Sequence, residues 1–552
     1  MLMDKIKKFK YELYAFGFYV LSRLPSLGHD MFNTDVWKWK QRIYDFGTGV
    51  FTLNFEKTIH RYHPGVTLMW IGTWAVKVYN FSYRVFTGSN PPDNNIDALF
   101  NLHFTQKLFI VLFVALIVAL IFHVLKKLFG LRYAGIALAL IVFEPFYVAL
   151  TRVVHLEGLQ STLMLSSFLT LYLYVSKSKN RKWLFVSALL GAWAVLTKTS
   201  AVFIFPFAAF LLFLYPLLSK NKPSEAFKYA ISNLLVWFLM FCAVFFISWP
   251  AMWTHSGLVF ETLKRGIVDV GIDGGHLQMF KGVWVEDPGP TFYWYVFILK
   301  SSLYLIGGVI GSLWLFKGLS SEKKKFAFFT LAYALLYAIE VSIPSKKLDR
   351  YLMPSMISLL LFAGLFFEWS VAKIAERYSK RFMKVAALLF LPAVLVLGAL
   401  HPDYFSYFSP LGGGLKKGIW TIEPKWVIGQ HALMDYLEEE MNENNLVSFE
   451  NGEALNFSTT SLEDRMVVAF PEKYYTQLHP LVREIGGWAT IESIRPDTKN
   501  ALLGVFPVWF DDTKESDAWE FQEQVYLRGV PIYNVYKNTD RFGWEWLIVL
   551  KH

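Results

Sequence analysis

The chain has 552 residues, 54% of them hydrophobic and 18% aromatic, a formal charge of +10 and one cysteine. Apolar stretches of 18 residues or more recur through most of it, which excludes an ordinary soluble globule and points to a polytopic α-helical membrane protein. The lone Cys242 excludes a disulfide framework or a cysteine metal site. Residues 401–552 hold 13 Lys/Arg against 23 Asp/Glu, so the positive excess belongs to the membrane part, where it fits loops facing anionic lipid and not nucleic acid.

In chain order, spans are expected at Tyr11–Leu27, Phe104–Val124, Tyr133–Leu150, Leu156–Val175, Trp183–Leu196, Ala201–Leu218, Ala230–Trp249, Phe292–Phe316, Phe326–Ile343, Tyr351–Ala372 and Val385–Leu400. That makes about 11 transmembrane helices. The first follows a basic start without a small-residue cleavage site, and reads as a retained span that also targets the chain. Val66–Phe81 carries Lys77 among many aromatics and is expected to lie as an amphipathic helix in the interface; if it crosses, the count becomes twelve.

With Lys5, Lys7, Lys8 and Lys10 placed in the cytoplasm, every second connection should be basic. The expected cytoplasmic connections carry Lys126, Lys127 and Arg132; Lys177, Lys179, Arg181 and Lys182; Lys220, Lys222 and Lys228; Lys317 and Lys323 to Lys325; and Lys373, Arg377, Lys380, Arg381 and Lys384. An odd span number then puts two long loops, about 28–103 and 250–291, and the tail outside the cytoplasm. After Pro402 the composition changes. "EPKWVIGQHALMDYLEEEMNEN" has helical spacing, and "NLVSF", "ALLGVFPVWF" and "VPIYNVY" are β-prone. The expected division is a membrane module, 1–400, and a small extracytoplasmic α/β domain, 401–552, assigned to acceptor selection or to scaffolding of the loops. Asn80-Phe81-Ser82 and Asn456-Phe457-Ser458 fit the glycosylation sequon.

Several ionisable residues defy this sidedness. "SIPSKKLDRYLMPS", Ser342–Ser355, sets Lys346, Lys347 and Arg350 on the outer face; Lys198 lies in the short turn "VLTKTSAVF"; Arg152, His155 and Glu157 lie in "TRVVHLEGLQ". Charges at the membrane are costly and mark function, although headgroup anchoring and snorkelling are alternatives. Asp35 opens "DVWKWKQRIYDF" with Lys38, Lys40 and Arg42 behind it. A carboxylate beside cations stays ionised and can take a proton; by position alone it also suits helix capping. His63, His155 and His276 with Asp30 or Glu157 make a divalent metal conceivable, but no pair has a diagnostic ligand spacing, and hydrogen-bonding histidines are the simpler reading. Glu144 is open between a structural hydrogen bonder and an acceptor contact. His276 and Asp287, in a glycine-rich loop, are candidates for substrate contact.

"FNTDVWKWKQRIYDF", "HPGVTLMWIG", "TRVVHLEGLQ", "GAWAVLTKTSAVF", "SWPAMW", "KKLDRYLMPSMISLLLFAGL" and "HPDYFSYFSPLGGG", in this order, resemble the GT-C superfamily of membrane glycosyltransferases. Within it they resemble the protein O-mannosyltransferase and aminoarabinose-transferase-like group, which uses polyprenyl-phosphate sugars. The resemblance implies Asp35 as catalytic base and Glu157 as a second acidic position. It implies Lys38, Lys198, Lys347, Arg350 and Tyr351 around the donor phosphate. Arg42, Tyr62, His63, Arg152 and His276 complete the expected substrate-binding set. This chain has Val36 where the protein-mannosylating members have a second acid, and His63-Pro64-Gly65 where the aminoarabinose type has Lys-Pro-Pro, which leaves sugar and acceptor open. The expected partners are a polyprenyl-phosphate sugar donor, an acceptor protein, lipid or glycan, and membrane lipid.

The chemistry fits the residues themselves. A lipid phosphate is a good leaving group, so preorganised cations suffice to stabilise it, and one carboxylate suffices to deprotonate an attacking hydroxyl. The alternative is a transporter or flippase of an anionic lipid, though no inverted repeat is visible.

Overall fold

The structure is a computed structural model that describes residues 8–61, 63–93, 95–219, 222–272, 275–446, 466–492, 501–511 and 519–539. Lys5, Lys7, Tyr62, Lys220, the 456–458 sequon and the end of the "NLVSF" run lie outside the described residues.

All eleven expected apolar runs fall on helices. Among the described residues, six helices are long and apolar enough to cross a membrane: Ile96–Phe143, Thr199–Leu218, Pro223–Ser248, Ser321–Ser342, Asp349–Arg377 and Phe382–Leu400. A seventh is formed if Phe292–Lys300 and Leu303–Gly318, bent by 109°, act as one span. The protein is therefore an integral membrane protein, mostly helical, and the count by this measure is lower than the sequence suggested. The reasons are visible. The first run forms only the twelve-residue helix Lys10–Leu21. Two more form the seventeen-residue helices Glu157–Leu173 and Arg181–Thr197. Two others share Ile96–Phe143, which breaks at Gly130, where φ is +87°, a conformation open to glycine. Val66–Phe81 lies within the helix Val66–Thr87.

Glu157–Leu173 is the pillar of the bundle. It packs on Arg181–Thr197, Ile96–Phe143 and Met353–Arg377, and all 17 of its residues are buried, as expected of a helix surrounded by others. The bend between Phe292–Lys300 and the next helix settles Glu144. Its carboxylate accepts from the Ser302 backbone N–H (2.9 Å) and hydroxyl (2.6 Å), so it is a structural hydrogen bonder that pins the break.

The tail forms a five-stranded sheet in the order β4-β3-β5-β7-β6, with β3 Val467–Phe470, β4 Trp488–Ile491, β5 Leu503–Pro507, β6 Trp519–Leu527 and β7 Val530–Asn538. β3 pairs parallel with β4 and β5, and β7 antiparallel with β5 and β6. Two of the expected β runs become β5 and β7. Part of the sheet shares the core of the helices: Val468, Val505 and Ile532 belong to one continuous apolar cluster with them, whereas Val467, Ala469, Phe506, Trp519 and Tyr536 belong to a separate cluster. In the second long loop, β1 Gln278–Phe280 and β2 Val283–Val285 form a hairpin. It is tied to the tail where Lys281 N–H donates to the Thr421 carbonyl (2.9 Å).

Candidate active site

Asp35 stands at the cap position of the helix Val36–Phe51, yet its carboxylate makes no cap bond. Its backbone N–H instead donates to Asn33 Oδ1 (2.9 Å). This frees the carboxylate to face His155 Nε2 at 3.3 Å and Lys38 Nζ at 3.4 Å. Helix capping therefore does not explain the residue. His155 Nδ1 meets Glu157 Oε2 in a short contact, and Glu157 Oε1 accepts from Lys198 Nζ (3.0 Å) and Arg350 Nε (3.3 Å). One chain of charge thus runs from Asp35 through His155 and Glu157 to the two cations. It joins residues separated by more than three hundred positions.

The elements around the chain hold it in place. Lys198 ends the helix Arg181–Thr197 in extended backbone, which stops the helix and turns the ammonium onto the Tyr351 ring, 3.6 Å from its centroid. Gly65 (φ +62°) sits against the Trp39 ring, where a Cβ would collide. Its N–H donates to the Thr197 carbonyl (3.2 Å), which locks the first loop to the Lys198 turn. Arg350 lies 4.7 Å from the Trp426 ring centroid, and Trp426 meets His155 edge to face at 5.0 Å.

Burial alone would raise the Asp35 pKa, but the hydrogen bond and charge of His155, with Arg350 and Lys38 beyond it, hold it well below the usual carboxylate range. Burial pulls the His155 pKa down, yet the flanking Glu157 and Asp35 raise it overall. Burial lowers Lys198 to about 8, against the opposing pull of Glu157. His276 is pushed down to about 4 by burial and by the cations Lys425, Lys346, Lys473 and Arg350.

Asp35, His155, Glu157 and His276 line a cavity of about 330 Å³. Asp35, Lys38, Arg42, His63, Glu157, His276, Arg350 and Tyr351 of the expected set border it. A second cavity of about 290 Å³, walled mainly by apolar residues such as Val202, Ile267, Val341, Ile343 and Pro344, shares His63, Lys346 and Tyr351 with the first and takes in Lys198.

Two expected residues lie elsewhere. Arg152 Nε and Nη2 donate to Asp30 Oδ2 (3.2 and 3.0 Å), in a separate buried cluster with Lys107. Lys347 Nζ is held by Asp287 Oδ1 (2.7 Å) and the Pro344 carbonyl (2.6 Å), so Lys346 takes the cavity position. Consecutive residues in a non-helical segment point to opposite sides, and only one of the pair can face inward. Sequence reasoning also missed Arg61, Lys425 and Lys473; no local motif signals the last two, which arrive from the tail. The metal donor set is not gathered. Both ring nitrogens of His155 face carboxylates, Asp30 is in the other cluster, and among the described residues no group of three or more His, Cys, Asp or Glu side chains is arranged to hold a metal.

Residues 97–249 match a family model described as dolichyl-phosphate-mannose-protein mannosyltransferase. No curated protein matches the chain. Among solved structures, ArnT from Cupriavidus metallidurans bound to undecaprenyl phosphate is 10% identical over 97% of this chain and 98% of its own, with a TM-score of 0.45. Its apo form is 11% identical over 91% and 93%, with a TM-score of 0.42. The apo oligosaccharyltransferase from Archaeoglobus fulgidus is 12% identical over 94% of this chain and 75% of its own, also at 0.42. At these identities and scores the structural likeness says nothing about chemistry. The family match bears out the resemblance read from the sequence, and by that likeness the chain is a glycosyltransferase-type membrane enzyme.

Proposed function

We propose that this protein transfers a sugar from a polyprenyl-phosphate donor to an acceptor hydroxyl at the outer face of a bacterial or archaeal plasma membrane. The N-terminus is then cytoplasmic, and residues 401–552 form a domain outside, over a membrane module of residues 1–400. The observation that carries this reading is a carboxylate, Asp35, and a set of cations, Lys198, Lys346 and Arg350, linked through one cavity that continues into an apolar groove.

The polyprenyl chain lies in the groove, and its phosphate sits at the border marked by Lys346, Tyr351 and Lys198. Glu157 occupies only part of the hydrogen-bonding capacity of its partners. Lys198 retains donors beyond the one it uses, and Arg350 engages Glu157 through Nε, leaving both NH₂ groups. As the anomeric bond to oxygen breaks, negative charge grows on the phosphate, and these donors stabilise it more than they stabilise the bound donor. Asp35, ionised throughout the physiological range, accepts the acceptor's proton as the new carbon–oxygen bond forms from the opposite face. One displacement of this kind inverts the anomeric centre. Glu157 is a positioning residue: both its oxygens are engaged, one holding the two cations and the other holding His155 against Asp35.

The test is radiolabelled sugar transfer by purified protein carrying Asp35→Asn. Loss of transfer with polyprenyl phosphate binding retained supports the reading, and full transfer removes Asp35 as the base. The transporter alternative gives no reason for a carboxylate held against a histidine ring and is not favoured by the family match.

A further inference from the structure

The cavity holds more positive charge than one lipid phosphate needs. Lys198 and Lys346 border the apolar groove, and Arg350 meets Lys198 across Glu157, whereas Lys425 and Lys473 stand in the wall that the tail supplies and do not border the groove.

These two lysines are built into place. Glu423 is buried, and its Oε2 accepts from Lys425 Nζ (2.9 Å) and the Met279 N–H (3.2 Å). Its Oε1 accepts from Lys473 Nζ in a short contact and from the Tyr474 hydroxyl (3.3 Å). One carboxylate therefore serves two ammonium groups, and a net positive charge remains facing the cavity. Lys425 also donates to the Leu277 carbonyl (3.0 Å), so its position is fixed while one N–H stays available. Burial, reinforced by Lys473 and opposed by Glu423, brings Lys425 down to about 8. Beside them, Lys473 lies 5.2 Å from the ring centroid of Trp284, whose side chain is exposed.

We propose that Lys425 and Lys473 bind an oxyanion, phosphate or carboxylate, of the acceptor, and that the acceptor is an anionic saccharide whose ring lies on Trp284. This rests on the transfer reading above. Two fixed ammonium groups beyond the donor phosphate make charge-assisted bonds to an anion and leave a neutral acceptor with uncompensated positive charge at its side. The apolar face of a sugar ring packs on an exposed indole.

The test is equilibrium binding of glucose 6-phosphate, glucuronate and glucose to the purified full chain in detergent. At least one charged sugar is expected to bind about tenfold or more tighter than glucose, and which of the two prevails separates phosphate from carboxylate. Lys425→Gln with Lys473→Gln should abolish that preference. Polyprenyl phosphate binding should stay within about twofold, because the altered side chains do not border the groove. Lys425→Arg with Lys473→Arg should keep the preference, which guards against mere unfolding around Glu423. Equal binding of glucose overturns the proposal, as does a folded glutamine variant that keeps the preference. Tighter binding of an Asp/Glu-rich serine peptide than of either charged sugar also overturns it, as does inorganic phosphate matching glucose 6-phosphate. If both lysines hold the charged sugars and no sugar transfer occurs, the site stands and the transfer reading fails.

Discussion

Asp30 and Asp35 lie five positions apart in the same loop, and each belongs to a cluster of charges. Asp30 meets Lys107 in a short ion pair and Arg152 at 3.0 Å. The spare donors of those cations end on the carbonyls of Met31 (2.9 Å) and Pro25 (2.6 Å) and, in a short contact, of Arg23. Beside it is room for only about 10 Å³. Asp35 faces a histidine and an exposed lysine at a cavity of about 330 Å³. The closed cluster fastens the first loop to the helices. The open one holds its carboxylate by two long contacts, to Lys38 (3.4 Å) and His155 (3.3 Å), and leaves several N–H groups for a ligand. Saturation of hydrogen-bonding capacity, more than charge or burial, separates a structural ion cluster from a reactive one.

Opposite behaviour of the two aspartates is the sharpest consequence. Asp35→Asn should lower transfer by about 10²–10⁴-fold and leave thermal stability nearly unchanged, as read by labelled-sugar transfer and a melting curve on one preparation. Asp30→Asn should do the reverse, destabilising the fold by about 3–5 kcal/mol, because two buried cations lose their partner; the readout is a denaturant or thermal melt. A melting loss at Asp35 as large as that at Asp30 would erase the distinction.

Glu157→Gln should cost about 10²-fold in kcat/KM, raising KM and lowering kcat together, since it releases Lys198, Arg350 and His155 at once. The pH dependence of donor binding sharpens the picture further. Lys198 titrates near 8, so it is an ammonium below that pH and is lost as a cation above it. Polyprenyl phosphate binding should therefore weaken as pH rises through about 8, and Lys198→Arg should move the fall to higher pH. The smallest contrast is between neighbours: Lys346→Ala should weaken polyprenyl phosphate binding by about tenfold, and Lys347→Ala by less than about threefold, because Lys347 is spent on Asp287 and Pro344.

The sequence alone determined the membrane class, the helical runs, the change of composition after Pro402 and the outlying charges at Asp35, Glu157, Lys198 and Arg350. Hydropathy and charge sidedness are written residue by residue, so they need no fold to be read. Only the tertiary structure decided which of those charges meet. Arg152 and Glu157 stand in one short motif, yet they belong to different clusters, because the turn between Leu150 and Glu157 sends them to opposite sides. Lys346 and Lys347 are exchanged for the same kind of reason. Lys425 and Lys473 join the cavity, and Trp426 meets His155, only because the tail folds back over the first loop, a contact across almost four hundred residues. Local sequence carries no record of such a contact, since it is fixed by how the helices and the sheet share one apolar core.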